Sequence, residues 1–289
     1  MNATALSFVL VAAVVHAVWN LAAKRVGYGG ARFVYLYYTV SAVALLPVTA
    51  VMLVVEDERP QWTWLLAALG TSLLHVGYGV VLQRGYVVGD LSVVYPLARG
   101  TGPLLSVFAA VVLFGEHPGW LGLAGALLVV TGVLVISTGR RDGETDPRAR
   151  RAGIGYGVLT GAFIAGYTLW DAHSVTGLAV PPVVYFGLGS VIQSLMLMPY
   201  AFADRPLLGR LWREHKRETL LVGLLSPVAY LLVLYALRIA PVSLVAPARE
   251  LSIVLGGLAA WLVLGEANAV RRLAGSVIVL SGIAAIAMA

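Results

Sequence analysis

Ten long apolar segments constrain the fold of this chain more than any other feature of its sequence. Each is about 20 residues long, the length that a helix needs to cross roughly 30 Å of hydrocarbon. Strands of a membrane β-barrel would alternate apolar and polar residues, whereas these segments are apolar on all sides. They lie at about residues 4–23, 33–55, 62–83, 91–114, 119–138, 153–173, 181–203, 219–238, 242–264 and 270–288. The pattern predicts an all-α membrane protein with ten transmembrane helices.

Composition excludes a water-soluble fold and makes an enzyme a poor alternative. The 289 residues are 60% hydrophobic and 12% charged, whereas soluble domains carry about a quarter charged residues. The chain has no cysteine, so thiolate metal sites and cysteine nucleophiles are excluded. It contains neither an H-E-x-x-H metal motif nor a G-x-S-x-G nucleophile motif. We therefore predict no catalytic activity, no metal and no cofactor.

The second half of the chain repeats the first. Matching pairs are LFGEHP at 113–118 with VLGEAN at 263–268, LAGALLVVTG at 123–132 with LAGSVIVLSG at 273–282, and Arg99 with Arg249. Five spans is an odd number, so the second copy enters the membrane from the opposite face. Inverted repeats of this kind are typical of secondary transporters with a central site. We predict five-helix repeats at residues 1–138 and 153–289, joined by a charged linker at 139–152.

The basic residues predict the orientation of the chain. Sixteen of the 20 lysines and arginines lie in the odd-to-even connections, from 1–2 to 9–10, against two, Arg59 and Arg238, on the other side. The positive-inside rule places the basic connections, including 5–6 and 7–8, in the cytoplasm and both termini outside. This predicts a multi-pass protein of the cell (inner) membrane. The net charge of +6 is therefore a topology signal, and no nucleic acid partner is expected.

The paired motifs resemble the EamA family of the drug/metabolite transporter superfamily. Each half ends in a Gly-Glu turn, at Glu116 and Glu266, followed by a last helix rich in small residues. The resemblance covers nearly the whole chain. It implies a ten-helix exporter or exchanger of small metabolites that works without ATP hydrolysis and without a bound cofactor. We interpret the two glutamates themselves as turn or cap residues.

Small residues predict where helices pack closely. One ridge lies on the sixth segment, at Gly153, Gly157, Gly161 and Ala165. A second set is shared between the fifth and tenth segments, at Gly125, Gly132, Gly275 and Gly282. Contacts within the chain are the simpler interpretation, and a homodimer surface formed by the last helices is the alternative. The protein is expected to be a monomer or a homodimer.

Polar residues within two spans form faces that correspond in the two repeats. His16, Trp19 and Asn20 share one face of the first helix because they are spaced i, i+3, i+4. The sixth helix repeats this face with Tyr167, Trp170 and Asp171. These residues are candidates for substrate binding, and His16, His75 and Asp171 are candidates for proton coupling. The structural alternative is that the tryptophans are interfacial and His16 bonds a neighbouring helix.

The first helix also resembles the small multidrug resistance branch of the superfamily. In that branch an essential membrane carboxylate lies eight residues before a lysine, and here His16 lies eight residues before Lys24. Histidine can change charge near neutral pH, but the change of residue type does not support exchange of two protons for a cation. We interpret Lys24 as an anchor at the cytoplasmic end of the helix.

Two arginines lie deep within predicted spans. Arg99 and Arg249 each lie about eight residues into a helix, or roughly 12 Å from its start. A permanently charged guanidinium at that depth needs a counter-charge. The functional interpretation is a substrate carboxylate or phosphate, and the structural one is an ion pair with Glu250 or Asp171.

Aromatic residues complete the predicted site. His75 and Tyr78 share a face of the third helix, and Tyr95 and Tyr230 lie beside prolines within spans. A cleft lined by such rings suits an amphipathic metabolite or an organic cation, and packing in the core is the alternative.

Together these features predict a secondary active transporter that works by alternating access around a central cavity. We place the cavity between the first, third, fourth, sixth, eighth and ninth helices. The predicted substrate is a small polar or amphipathic metabolite, such as an amino acid or a related compound, with proton coupling as an option. Alternatives are a flippase for lipid-linked metabolites, a small multidrug or organic-cation transporter, and a scaffold or receptor that transports nothing.

Overall fold

The structure, a computed structural model, describes residues 1–26, 28–55, 60–89, 91–137, 147–255 and 269–289, and every regular element within these ranges is a helix. The helices are α1 (Ala3–Lys24), α2 (Ala31–Val55), α3 (Trp62–Val88), α4 (Leu91–Phe114), α5 (Gly119–Ser137), α6 (Pro147–Thr176), α7 (Pro182–Phe202), α8 (Arg205–Glu214), α9 (Lys216–Ile239), α10 (Val242–Ala248) and α11 (Ala269–Met288). Residues 251–255 are also helical.

Eight of the described helices, α1 to α7 and α9, are long and apolar enough to cross a membrane. The ninth predicted segment begins with α10, and its residues 256–264 lie outside the described residues. The apolar part of α11, Leu273–Met288, is shorter than the other eight. The all-helical membrane architecture is therefore confirmed, while the count of ten spans stays a prediction.

The polar connection before α9 differs from the loop that the sequence suggests, because it contains α8. Asp204 caps this helix by accepting a hydrogen bond from the Leu207 backbone N–H at 3.0 Å. Leu211 is fully buried and packs in a cluster with Val26 and Phe33. α8 has a polar face, and this small apolar contact packs the helix against the bundle. The linker predicted at 139–152 is likewise partly helical, since α6 begins at Pro147.

Helix pairing follows the repeat. If α1, α2, α3, α4 and α5 correspond to α6, α7, α9, α10 and α11, the main helix pairs of one half recur in the other. α1 packs on α9 as α6 packs on α3, and α2 packs on α9 as α7 packs on α3. α2 meets its own counterpart α7, and α5 meets α11. This arrangement fits the two inverted repeats, with polar residues of both halves directed to the middle.

The contact between α5 and α11 depends on glycine. A Cβ added at Gly132 would lie 2.7 Å from the Gly275 carbonyl oxygen, and one at Gly282 would lie 2.7 Å from the Gly125 carbonyl oxygen. These distances are below the van der Waals limit, and both neighbours are backbone atoms that cannot turn aside. The four glycines therefore pack within the chain.

We expect Gly132→Ala to destabilise the protein by about 1–3 kcal/mol, because the added methyl group forces α5 and α11 apart. Gly155→Ala is the matched control, since a Cβ at this helical glycine of α6 meets nothing within 4 Å. The control should be neutral or stabilising by about 0.5–1 kcal/mol. Unfolding in mixed detergent micelles measures the free energy of unfolding of both variants. Equal stability of the two would contradict this account of the contact between α5 and α11.

Candidate functional site

A central cavity of about 650 Å³ lies between α1, α2, α3, α4, α6, α7, α9 and the segment that follows α10. Its lining reaches Lys24, Tyr86 and Ser137, which lie at or near the ends of α1, α3 and α5. These ends adjoin the connections that carry most of the basic residues. We call this face of the bundle the basic side and the opposite face the far side. The cavity therefore extends from the middle of the bundle to the basic side.

An apolar cluster closes the far side. It joins the start of α1 to the end of α9 and the start of α7, all of which lie opposite the basic connections. Its buried members include Ala5, Val9, Trp64, Val180, Val184, Leu237, Val242 and Val245. Such a plug excludes water through close packing, so the described chain has one open end and one closed end.

Glu116 joins the two halves at this closed end. Its carboxylate accepts hydrogen bonds from the backbone N–H groups of Val242 and Ser243, each at 2.8 Å. These are N–H groups of the first turn of α10, which have no partner within the helix. The residue was predicted as a turn or cap, and in the structure it caps a helix of the other repeat. Its counterpart Glu266 lies outside the described residues.

We expect Glu116→Ala to weaken closure of the far side by about 1–2 kcal/mol, because two N–H groups lose a charged acceptor. The chain has no cysteine, so a cysteine introduced at the buried Ala5 reports opening through its labelling rate. That rate should rise about 5- to 30-fold. His117→Ala, at the exposed neighbour, should leave labelling unchanged, and equal rates in both backgrounds would disprove the role of Glu116.

An interruption in a helix brings the charged residues Arg99, Arg249 and Glu250 together at the cavity. α10 ends at Ala248, Arg249 and Glu250 form a turn, and helix resumes at residue 251. Pro247 contributes because it has no N–H for the ladder, and the Glu250 N–H bonds the Pro247 carbonyl oxygen at 3.0 Å. Discontinuous helices at the bundle centre are a common way to build transport sites.

The acid at this interruption pairs with the arginine of the other half. Arg99 Nε lies 3.5 Å from Glu250 Oε2, and their side chains are 19% and 8% exposed. The guanidinium of Arg249 lies 5.5 Å from the centre of the Tyr230 ring. Glu250 and Asp171 were the predicted structural partners of the two arginines. The structure pairs Glu250 with Arg99, because the two helices meet across the repeat.

The predicted face of α1 lines the cavity. His16, Trp19 and Asn20 all contribute to the wall, and the rings of His16 and Trp19 lie 4.5 Å apart. Trp19 Nε1 is buried and, among the described residues, has no hydrogen-bond partner.

The matching face of α6 behaves differently. Trp170 donates its Nε1–H to the Ala67 carbonyl oxygen of α3 at 2.8 Å, and a Cβ at Gly70 would lie 2.5 Å from its ring. Asp171 is fully buried, and neither residue is part of the cavity lining. The ring of Trp170, which was predicted to line the cleft, lies instead against α3, while Asp171 accepts hydrogen bonds from tyrosines of α7 and α9. Only Tyr167 of the predicted trio reaches the cavity.

Aromatic rings form one wall of the cavity. His75 stacks on Tyr167 with ring centres 4.2 Å apart, and Tyr78 meets the edge of Tyr167 at 5.9 Å. Tyr230 approaches His75 edge-on at 5.7 Å. Tyr95 also lines the cavity, so all four predicted aromatic positions of α3, α4 and α9 face it.

Three helices that were not predicted also line the cavity, α2, α7 and the end of α5. α2 contributes Tyr37 and Tyr38, and α7 contributes Tyr185 and Gln193. The signals in the sequence were weak but present, since YLYY at 35–38 and Gln193 are polar interruptions of apolar segments. Lys24, interpreted as an anchor, also reaches the lining. Among the described residues, no group of three or more histidine, aspartate or glutamate side chains could hold a metal ion.

Comparisons with known proteins agree with this architecture. The sequence model of the EamA-like transporter family matches residues 3–138 and 151–288, one match for each repeat. A solved structure described only as "Crystal structure of protein" is similar in fold, with a TM-score of 0.78, 16% sequence identity, and coverage of 100% of this chain and 98% of that one. No curated protein matches the chain at a significant level.

Proposed function

Because the chain belongs to the EamA-like transporter family, we propose that it carries a small metabolite with an anionic group across the membrane by alternating access. The charge of the cavity is the observation that carries this proposal. Arg99 and Arg249 line it against one carboxylate, Glu250, among the described residues. Asp171 is fully buried and is not part of the lining. These three lining residues therefore carry a net positive charge that an anion would balance.

Arg249 is the residue we assign to the anionic group. The ion pair with Glu250 balances the charge of Arg99, whereas Arg249 has the face of Tyr230 as its contact. A guanidinium in this setting can bind a carboxylate or phosphate in a two-pronged arrangement. Arg99 and Glu250 then have a structural role in the site, because their ion pair keeps the interrupted helix in a fixed position beside α4.

The remaining lining supports a polar or amphipathic substrate, such as an amino acid or a related compound. Its volume of about 650 Å³ is within the range of small-molecule sites. Rings of Trp19, Tyr78, Tyr95 and Tyr167 offer apolar faces, while three buried polar atoms of the lining have no hydrogen-bond partner among the described residues. Outside the Arg99–Glu250 ion pair, these are Trp19 Nε1, Ser137 Oγ and Gln193 Oε1. Buried polar groups are normally satisfied, and a polar substrate would satisfy them.

The open end of the cavity supports an exporter or exchanger. The positive-inside rule assigns the basic side to the cytoplasm, so substrate would enter from the cytoplasm in the state described here. An organic-cation transporter is less favoured, because its cavity needs a carboxylate free to pair with the cation. Glu250 already faces Arg99.

A thermal-shift screen of the purified protein tests the proposed substrate class. Each amino acid is compared with the amine that lacks only its carboxylate, so that the two ligands share one side chain. We expect at least one carboxylate ligand to raise the Tm of the protein while its matched amine does not, because Arg249 binds the anionic group. Counterflow of that ligand in proteoliposomes then measures transport. Stabilisation by the amines instead would overturn the assignment.

A further inference from the structure

The buried carboxylate of Asp171 is connected to the cavity through two tyrosines. Tyr185 of α7 donates its hydroxyl hydrogen to Asp171 Oδ1 at 2.6 Å, and Tyr230 of α9 donates to Oδ2. Both tyrosines line the cavity, whereas Asp171 is fully buried. A charged carboxylate inside a membrane protein is costly unless it has a function or a partner.

His75 extends this network to the cavity. Its Nδ1 lies 2.9 Å from the Thr71 carbonyl oxygen, and its Nε2 lies 3.4 Å from the Tyr230 hydroxyl. The Thr71 hydroxyl also lies 3.0 Å from Nδ1. Because a carbonyl oxygen can only accept, we assign the hydrogen to Nδ1, which donates it. In neutral His75 the Nε2 atom is then an acceptor.

His75, Tyr230 and Asp171 form a row of hydrogen-bonding groups. Counting its hydrogens shows that the row has one proton fewer than its contacts need. Tyr230 has a single hydroxyl hydrogen, which it gives to Asp171, so its oxygen faces the Nε2 lone pair of neutral His75. Two acceptors then oppose each other. One added proton completes the row, either on His75 Nε2, which donates to Tyr230, or on Asp171, with Tyr230 turned to donate to Nε2.

The surrounding groups leave the imidazole of His75 and the carboxylate of Asp171 as the members that can hold the added proton. The titratable or charged side chains facing this pair are Tyr38 of α2, Tyr167 of α6, Tyr185 of α7, Tyr230 of α9 and Arg249 after α10. Tyrosines stay neutral and arginine stays charged at pH 7. Arg249 repels a proton on His75, and an anion bound to Arg249 would cancel that repulsion.

We propose that His75, Tyr230 and Asp171 form a one-proton relay that couples proton binding to the anionic substrate at Arg249. This coupling rests on the proposed function, while the relay itself does not need a substrate. A proton from the cavity binds His75 Nε2. It reaches Asp171 when Nε2 gives its hydrogen to the Tyr230 oxygen and the Tyr230 hydrogen moves to the carboxylate. The anion and the proton then favour each other's binding by the same factor.

Infrared pH titration of the purified full chain in lipid, without substrate, tests the relay. The carboxylic acid band reports Asp171 and the imidazole bands report His75. We expect the wild type to take up one proton in a single step between about pH 5 and 8. Asp171→Asn should remove the carboxylic acid component, and Tyr230→Phe, which keeps the ring, should split the step into two independent ones. Arg249→Gln should shift the midpoint.

Tyr185→Phe is the control, because it removes the other hydrogen bond of Asp171 and leaves the row to His75 in place. It should keep the single step. Absence of any step in the wild type, or an unchanged single step in Tyr230→Phe, would overturn the relay. Either result leaves the transport assignment standing, because no substrate is used. A normal titration without any thermal-shift ligand would instead count against the proposed function alone.

Discussion

Arg249→Gln is expected to lower transport at least about 100-fold while the protein stays folded. The lost charge-assisted hydrogen bonds to the anionic group correspond to about 2.8 kcal/mol at that fold-change. The fold should tolerate the change, because Arg249 contacts the Tyr230 ring and Glu250 keeps its ion pair with Arg99. Counterflow in proteoliposomes, normalised to folded protein, measures the effect.

Two further variants make the result specific. Arg249→Lys keeps the positive charge and loses the planar fork, so partial activity is expected. Arg84→Gln removes an exposed arginine of α3 that does not line the cavity, and transport should be normal. Wild-type rates in Arg249→Gln would show that the anionic group is held elsewhere.

The ion pair between Arg99 and Glu250 is expected to matter most for stability. Arg99→Gln or Glu250→Gln alone should each cost about 3–5 kcal/mol, because each leaves a buried charge without its partner. The double variant should recover most of that loss, since neither charge of the pair remains. Unfolding in mixed detergent micelles gives the four free energies of unfolding of the cycle.

The same cycle separates structure from transport. We expect the double variant to be stable yet slow in counterflow, because the interrupted helix then lacks the contact that positions Arg249 beside α4. Additive losses, with the double variant less stable than either single one, would mean that the two side chains do not act as a pair.

Much of the architecture could be predicted from the sequence. The length of the apolar segments shows which of them cross a membrane, because each span must be apolar and must form all of its backbone hydrogen bonds within itself. The matched motifs at 113–118 and 263–268 predict the repeat. The spacing of His16, Trp19 and Asn20 places them on one face, since the helical period is a local property. Each of these predictions needs only neighbouring residues.

The predictions were incomplete where a residue's role depends on another helix. Trp170 and Asp171 repeat the pattern of Trp19 and Asn20, yet Trp170 packs against α3 and Asp171 bonds tyrosines of α7 and α9. Of the two acids that could pair with the arginines, Glu250 pairs with Arg99. The helix α8 was missed because its apolar contact is short and four of its ten residues are charged.

By itself, the sequence determined that this chain is a helical membrane protein built from two repeats with charged residues at its centre. The tertiary structure decided which of those residues share the cavity, which face of each helix is turned inward and which end of the cavity an apolar cluster closes. The physical reason is that rotation and spacing between helices depend on non-local packing, such as the glycine contacts of α5 with α11. Such packing has no period along the chain.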